Sequence, residues 1–264
     1  MSHRLTPDEK ERLERDGFVV REAVFGQDEV RELGDASEAL VARLLAEPSR
    51  LPRMAMGSYV FELAPRHETV LKWEKDAADI LLGLEPFAHL DERLLRCALD
   101  PRLVDPSEEL VGTAPVELYT EKLNLKRARS GGPIVLHQDY PYWRDVADEP
   151  ERIATAIVFL DDSRRETGCV EVVPGSHRGG PRPGKAETGF GSFEMDEAGW
   201  GDALVPVEVA AGAVVWFGPM LVHRSAHNLS DRDRRALLFS YQPPGLRHAR
   251  QLVPGLAPRT ASGR

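Results

Sequence analysis

Pro133-Ile134-Val135-Leu136-His137-Gln138-Asp139-Tyr140-Pro141-Tyr142-Trp143 runs from an apolar extended segment straight into an imidazole, an amide and a carboxylate. A short apolar run that ends in polar side chains reads as a strand whose tip carries chemistry. It belongs to a series. From about Val116 onward the apolar segments are short and are bounded by Gly, Pro and Asp: residues 117–126, 134–136, 153–160, 169–173, 205–209, 213–217 and 236–241. Many short strands with turn signals between them predict a β-sandwich or barrel.

The residues before Val116 read differently. Thr6-Pro7-Asp8-Glu9 has the pattern of a capping box with a first-turn proline, so a helix is expected from there to near Gly17. Phe18-Val19-Val20 reads as a short strand. Val30, Leu33, Leu40, Val41, Leu44 and Leu45 mark a helix over residues 27–46. A second helical zone is expected over residues 73–110, broken by Pro86, Pro101 and Pro106. The helices precede the strands instead of alternating with them, which argues against a doubly wound parallel sheet. The expectation is one domain, mainly β with N-terminal helices (α+β). Residues 1–115 are largely helical, 116–245 form a jelly-roll core, and 246–264 are a C-terminal tail.

Composition narrows the function. The chain has 264 residues with 34 Lys+Arg against 43 Asp+Glu, a net charge of −9, which disfavours a general nucleic-acid binder. Cys97 and Cys169 are too few for a disulfide framework or a cysteine-rich zinc site, so a reduced cytoplasmic protein is the simple reading. The N-terminal residues have no apolar h-region. Residues 203–222 are mostly apolar but hold Pro206, Glu208, Gly212 and Pro219, and read as two strands around a turn at Ala210-Ala211-Gly212 instead of a membrane span.

In an extended chain, residues i and i+2 face the same side, so His137 and Asp139 are expected to point into one interior, with Gln138 turned away or tangential. An imidazole beside a carboxylate offers two metal ligands. An Fe(II) oxygenase needs two histidines and a carboxylate on one face of the metal, so a third ligand should come from a distant strand. His223 lies 86 positions beyond His137, a spacing that suits opposite ends of one barrel. The bland reading of His-x-Asp is a surface turn or an ordinary hydrogen-bonded pair. Ser225 shares strand parity with His223. Arg234 leads into the apolar run at residues 236–241, where a buried guanidinium needs an anionic partner. A dicarboxylate cosubstrate would supply one, with the Ser225 hydroxyl assisting. Equally, Arg234 and Arg235 read as solvated loop residues of Ser230-Asp231-Arg232-Asp233-Arg234-Arg235.

Other residues have competing readings. Gln138 is a candidate substrate-pocket residue, and Tyr140, Tyr142 and Trp143 line the pocket mouth or pack between loop and barrel. His227, four after His223, is expected near the site or in a structural role. His177 reads as a loop-stabilising residue. Residues 179–191, rich in Gly, read as a mobile loop or lid with no strand-to-helix context for phosphate.

His137-Gln138-Asp139 with a distal His223, Ser225 two positions later and Arg234 eleven positions later resembles the phytanoyl-CoA dioxygenase-like family of Fe(II)/2-oxoglutarate oxygenases. So do Asp16-Gly17-Phe18-Val19-Val20, the stretch from Gly131 to Trp143, Gly168 to His177, and Ala211 to His223. The resemblance covers residues 5–241. It implies a double-stranded β-helix (a cupin-like jelly roll) holding Fe(II) through His137, Asp139 and His223, with 2-oxoglutarate and O2 as cosubstrates. It implies anchorage of 2-oxoglutarate by Arg234 and Ser225, with Asn124 touching it as well. Related halogenases lack the carboxylate ligand, so Asp139 disfavours halogenation.

The activity implied is hydroxylation of an unactivated C–H bond in a small molecule. Desaturation, epimerisation or ring closure by the same chemistry are alternatives, as is a cupin-like metal-binding protein or isomerase that ignores 2-oxoglutarate. The expected partner is a small-molecule substrate, with no nucleic acid and no membrane, and the protein is either a monomer or a homodimer. Only 6 of the 34 basic residues are lysine, a bias that hints at a GC-rich genome and so at secondary metabolism and a natural-product intermediate.

Overall fold

The computed structural model describes residues 3–56, 59–75, 77, 79–184 and 193–249. In chain order the elements are α1 (Pro7–Asp16), β1 (Phe18–Arg21), α2 (Gln27–Leu45), β2 (Met54–Met56), β3 (Tyr59–Ala64), β4 (Thr69–Glu74), β5 (Leu81–Glu85), α3 (Glu92–Ala98), α4 (Pro101–Val111) and β6 (Glu117–Lys126). Then come β7 (Ile134–His137), α5 (Tyr140–Trp143), β8 (Ala154–Phe159), β9 (Val170–Val172), β10 (Val205–Val207), β11 (Val214–Phe217), β12 (His223–Ser225) and β13 (Arg234–Gln242).

The strands form two antiparallel sheets. The larger has the order β1-β11-β8-β13-β6-β5-β4-β3-β2, and the smaller has the order β10-β9-β12-β7. Their facing sides make the interior of a jelly roll. β8 and β11 are covered on both faces, so they are apolar at nearly every position and not only at alternate ones. On β8, Ala156 and Val158 join the core under the helices, while Ile157 and Phe159 join the core between the sheets. On β11, Val214 and Trp216 face the helices, and Val215 and Phe217 face inward. The helical cover includes α4, whose Leu103 carbonyl accepts from the Trp216 indole at 3.4 Å, and α2, whose Val30, Leu33, Leu40, Val41 and Leu44 form one buried stripe at helical spacing.

The capping box at Thr6 is formed: Glu9 N–H donates to Thr6 Oγ1, and Thr6 N–H donates to Glu9. The apolar stretch at residues 203–222 is two strands about a turn, and no helix among the described residues is long and apolar enough to cross a membrane. At that turn Gly212 has φ +90°, and a Cβ there would meet the Phe25 carbonyl at 2.2 Å. Only glycine fits.

The first 115 residues are less helical than the sequence reading predicts. Residues 73–74 and 81–85 are strand, not helix, and β2 to β5 extend the large sheet beyond the jelly roll as a meander. The reason is visible in β4: Thr69, Leu71 and Trp73 are buried while Val70, Lys72 and Glu74 are half-buried. That is the period of two of a strand, not the 3.6 of a helix. Pro106 does not end a helix either; α4 runs through it, starting at the Asp100 cap with Pro101 in its first turn.

Leu123 is fully buried between β5 and β13. Leu123→Ala should lower the unfolding free energy by about 2–5 kcal/mol. Urea denaturation followed by far-UV circular dichroism measures this, and an unchanged midpoint would show that the helix-covered face is not tightly packed.

Candidate metal centre

β7 ends at His137, β12 begins at His223, and the antiparallel register sets these residues opposite one another. The two histidines are thus cross-strand neighbours, not residues at opposite ends of a barrel. Their ring centroids are 4.2 Å apart. Each imidazole places Nδ1 against the carbonyl two residues before it, His137 on Val135 at 2.8 Å and His223 on Leu221 at 2.9 Å. A carbonyl only accepts, so each Nδ1 carries the hydrogen and each Nε2 keeps its lone pair for a metal.

Asp139 does not continue the strand as the i, i+2 argument assumes. Its backbone is helical, at φ −71° and ψ −33°, and it caps α5. The turn still brings Asp139 Oδ1 to 3.6 Å from His137 Nε2. One donor atom from each of His137, Asp139 and His223 lies within 4.8 Å of the others. Two neutral nitrogens and a carboxylate on one side of a point match the facial triad of non-haem iron.

The electrostatics keep the donors in ligand form. Burial, with the nearby His137 adding to it, pulls His223 down to about 4, so its ring is neutral at physiological pH. Burial would raise Asp139, but the His137 ring beside it and the positive Lys122 side chain outweigh it and hold the carboxyl well below the usual range. The Tyr142 ring stands edge-on to His137 at 5.8 Å and to Phe193 at 5.1 Å, and Phe217 lies 5.0 Å from His223.

Arg234 is in β13, not in a solvated loop, and only 2% of it is exposed. Its Nη2 donates to the Gly168 carbonyl at 2.6 Å, but its Nε is buried with no hydrogen-bond partner among the described residues. Burial lowers it only to about 10, so it remains charged. Ser225 Oγ is likewise buried without a partner. Two orphaned buried donors cost about 1–3 kcal/mol each unless a ligand satisfies them. A carboxylate, as in 2-oxoglutarate, suits both. Asn124 is half-buried on β6, opposite Gly83 and Ala236.

Several sequence expectations need correction. Gln138 is not a pocket residue: it is fully buried, its Nε2 donates to the Met220 carbonyl at 2.6 Å and to Gly180 at 3.1 Å, and its Oε1 accepts from Arg182 N–H at 2.8 Å. Trp143 packs at 5.6 Å against Tyr119 in a separate cluster with Ala147 and Ile153, so it is packing and not pocket. Tyr140 is half-buried in the first turn of α5. His227 is exposed. His177 packs beneath Gly17, where a Cβ would meet its Nδ1 at 2.4 Å. Of the glycine-rich stretch read as a lid, residues 185–192 lie outside the described residues, as do residues 250–264 of the tail.

Lys72 and Lys122, on the inner face, escape the sequence reading. Parity with Asn124 could have placed Lys122, two residues earlier on the same strand.

Gln138 ties three backbone groups beside the ligands. Gln138→Leu should cost about 1–3 kcal/mol of stability while iron stoichiometry is kept. Thermal denaturation and metal analysis check this together; loss of iron without loss of stability would place Gln138 in the metal site.

A family model for phytanoyl-CoA dioxygenase (PhyH) matches residues 13–236. L-proline trans-4-hydroxylase of Streptomyces griseoviridis is 33% identical over 198 residues, which are 67% of this chain and 71% of that protein. Phytanoyl-CoA dioxygenase domain-containing protein 1 of Bos taurus is 26% identical over 262 residues, 89% of each chain. Among solved structures, EctD from S. alaskensis with 2-oxoglutarate and 5-hydroxyectoine aligns at TM-score 0.69 and 22% identity, covering 90% of this chain and 76% of that one. The epimerase SnoN in complex with Fe3+, alpha ketoglutarate and nogalamycin RO aligns at 0.67 and 22%, covering 97% and 91%. The structural likenesses carry the jelly-roll fold. With the matched span running from α1 to β13, the chain belongs to the phytanoyl-CoA dioxygenase family.

Proposed function

We propose that the protein is an Fe(II)- and 2-oxoglutarate-dependent oxygenase that hydroxylates an unactivated C–H bond of a small molecule such as a natural-product intermediate. The observation that carries the reading is the meeting of His137, Asp139 and His223 within 4.8 Å, in an interior that also holds the orphaned Arg234 Nε and Ser225 Oγ. Family membership and the 33% identical proline hydroxylase support it.

His137 and His223 offer Nε2, because their Nδ1 hydrogens are spent on backbone carbonyls. Asp139 offers an ionised carboxylate, which lowers the net charge of a bound Fe(II). Bound iron supplies the oxygen chemistry, coupling decarboxylation of 2-oxoglutarate to succinate with oxidation of a C–H bond. Arg234 and Ser225 hold the distal carboxylate of the cosubstrate, and the Gly168 carbonyl holds the guanidinium in place through Nη2. Asn124 stands beside that cosubstrate. Tyr142, Phe193 and Phe217 wall the imidazoles with apolar surface and exclude water. No acid–base dyad is required.

Which product forms depends on where the substrate's hydrogens are held, so desaturation, ring closure and epimerisation belong to the same reading. Product mass separates them: hydroxylation adds oxygen, desaturation removes two hydrogens, and epimerisation changes neither. A cupin-like protein that ignores 2-oxoglutarate would leave Arg234 Nε and Ser225 Oγ without a use. The two buried free thiols, Cys97 and Cys169, fit the reducing cytoplasm.

Purified protein given Fe(II) and 2-oxoglutarate should release succinate slowly even without substrate. His137→Ala and Asp139→Ala should each lose iron, and stoichiometric iron in both variants sinks the assignment. Arg234→Met should keep iron but weaken 2-oxoglutarate binding by roughly 30-fold or more. An unchanged dissociation constant removes Arg234 from the site.

A further inference from the structure

The inner face of the large sheet continues past the metal centre onto β3, β4 and β5. Register sets Lys72 opposite Gly83, and Gly83 opposite Asn124, so the three share one row across the sheet. Lys122 is two residues along β6 on the same face, and the adjacent pairing puts it beside Glu85. Gly83 leaves the floor between the two lysines without a side chain; a Cβ there would meet the Leu123 carbonyl at 2.3 Å.

Both lysines are crowded by protein yet reach solvent, as groups on a cavity wall do: Lys72 is half-buried, and the Lys122 side chain is 32% exposed. Neither makes a hydrogen bond to a described residue. Lys72 Nζ lies 3.4 Å from the centroid of the Tyr59 ring, and no described carboxylate lies within 4.0 Å of it. Lys122 Nζ has only Glu85 Oε1 at 4.0 Å, and that oxygen already accepts from Thr120 Oγ1 at 2.7 Å. Burial and the neighbouring Lys122 charge push Lys72 down to about 8. Lys122 in turn feels the Asp139 carboxylate across the same interior.

Lys126, on the same strand and of the same parity, is the contrast. Its Nζ donates to the Gly132 carbonyl at 2.5 Å and to the Ala226 carbonyl at 2.6 Å, so it serves as a backbone brace. The bland reading of Lys72 is that the Tyr59 ring satisfies it. A ring face attracts an ammonium but accepts none of its hydrogen bonds conventionally, and it does not offset a second ammonium on the same wall. Glu74 and Glu85 share this wall, but Glu74 takes the Gly132 N–H at 2.6 Å and Glu85 takes the Thr120 hydroxyl at 2.7 Å, so neither ammonium has a close acceptor among the described residues. An ammonium held among protein groups without an acceptor favours an anion beside it.

We propose that Lys72 and Lys122 form a subsite for an oxyanion group, carboxylate or phosphoryl, of the primary substrate, gripping one end of that molecule while another part faces His137, Asp139 and His223. Tyr59 flanks the subsite, with its ring 3.4 Å from Lys72 Nζ. The subsite selects anionic substrates over their neutral amides or esters. It rests on the oxygenase reading only for the word substrate; the anion site itself needs no metal.

The probe is inorganic phosphate, titrated into metal-free protein without 2-oxoglutarate and followed by calorimetry, with acetate as a second arm. The Arg234→Met background removes the other internal cation that could bind either anion. In that background phosphate binding should persist, and Lys72→Met and Lys122→Met should each weaken it by roughly tenfold or more. Acetate displacing phosphate assigns a carboxylate, and failure of acetate to compete assigns a phosphoryl group; both support the subsite. Lys72→Arg should restore binding, and retained iron stoichiometry shows that the variants fold. Phosphate binding indifferent to both lysines, or abolished by Arg234→Met alone, overturns the proposal. So does a loss of 2-oxoglutarate affinity in Lys72→Met and Lys122→Met, which would give the lysines to the cosubstrate. Failure of the oxygenase reading is separate: it is read from succinate release and from iron in His137→Ala.

Discussion

The pairing of β7 with β12 is the constraint on which the site depends. Antiparallel register places His223 opposite His137, and β9 pairs with β12 on its other side, with Val172 opposite His223. Each imidazole then needs only a contact with its own strand's backbone to be aimed. A shift of one residue would send His223 to the opposite face and bring Arg224 inward. Arg224 is instead held outside by Glu171 at 2.7 Å and Glu197 at 2.7 Å. The register shifts between His223 and Ser225, a local irregularity next to the donors. Irregularities of this kind commonly re-aim side chains at functional edges.

Adjacent arginines show how the same alternation sorts structure from function. Arg235 points toward the helices, where Asp161 takes its Nε and backbone N–H at 2.8 Å and Glu38 lies at 3.4 Å. Arg234 points inward and finds one carbonyl. Asn228 shapes the loop that delivers both: its Nδ2 donates to the Lys126 carbonyl at 2.9 Å and the Arg232 carbonyl at 2.7 Å, and its Oδ1 accepts from Ser230. Buried polar groups across the fold are thus mostly satisfied, as with Gln138 and Asn228. Among the buried groups left without a partner in the described residues, Ser225 Oγ and Arg234 Nε lie on strands of the jelly-roll interior, Ser225 two residues from His223. Two such donors in the interior that holds the metal ligands suit an anionic ligand.

Much of this was legible in the chain. The strands from residue 117 onward stood out because Gly, Pro and Asp bound short apolar runs, and His137, Asp139, His223, Ser225 and Arg234 could be named from spacing and resemblance. The route to Asp139 was partly mistaken, since a helical turn, not strand parity, presents it. Residues 73–85 were misread because a short meander with one face on helices and one on a cavity has mixed polarity, and its prolines and charges imitate a broken helix. Gln138 and Trp143 looked like pocket residues because they adjoin ligands in sequence, and sequence adjacency says nothing of which backbone groups or rings lie behind them.

The amino-acid order by itself determined which side chains could serve as ligands and which segments could be strands, because both follow from residue chemistry and short-range periodicity. It did not determine that His223 sits opposite His137, that Arg234 and Ser225 are left with unmet hydrogen-bonding capacity, or that Lys72 and Lys122 share an inner wall across Gly83. Those facts depend on pairings between strands separated by tens of residues. Burial, which turns an ordinary arginine or lysine into an anion site, exists only once the two sheets have closed.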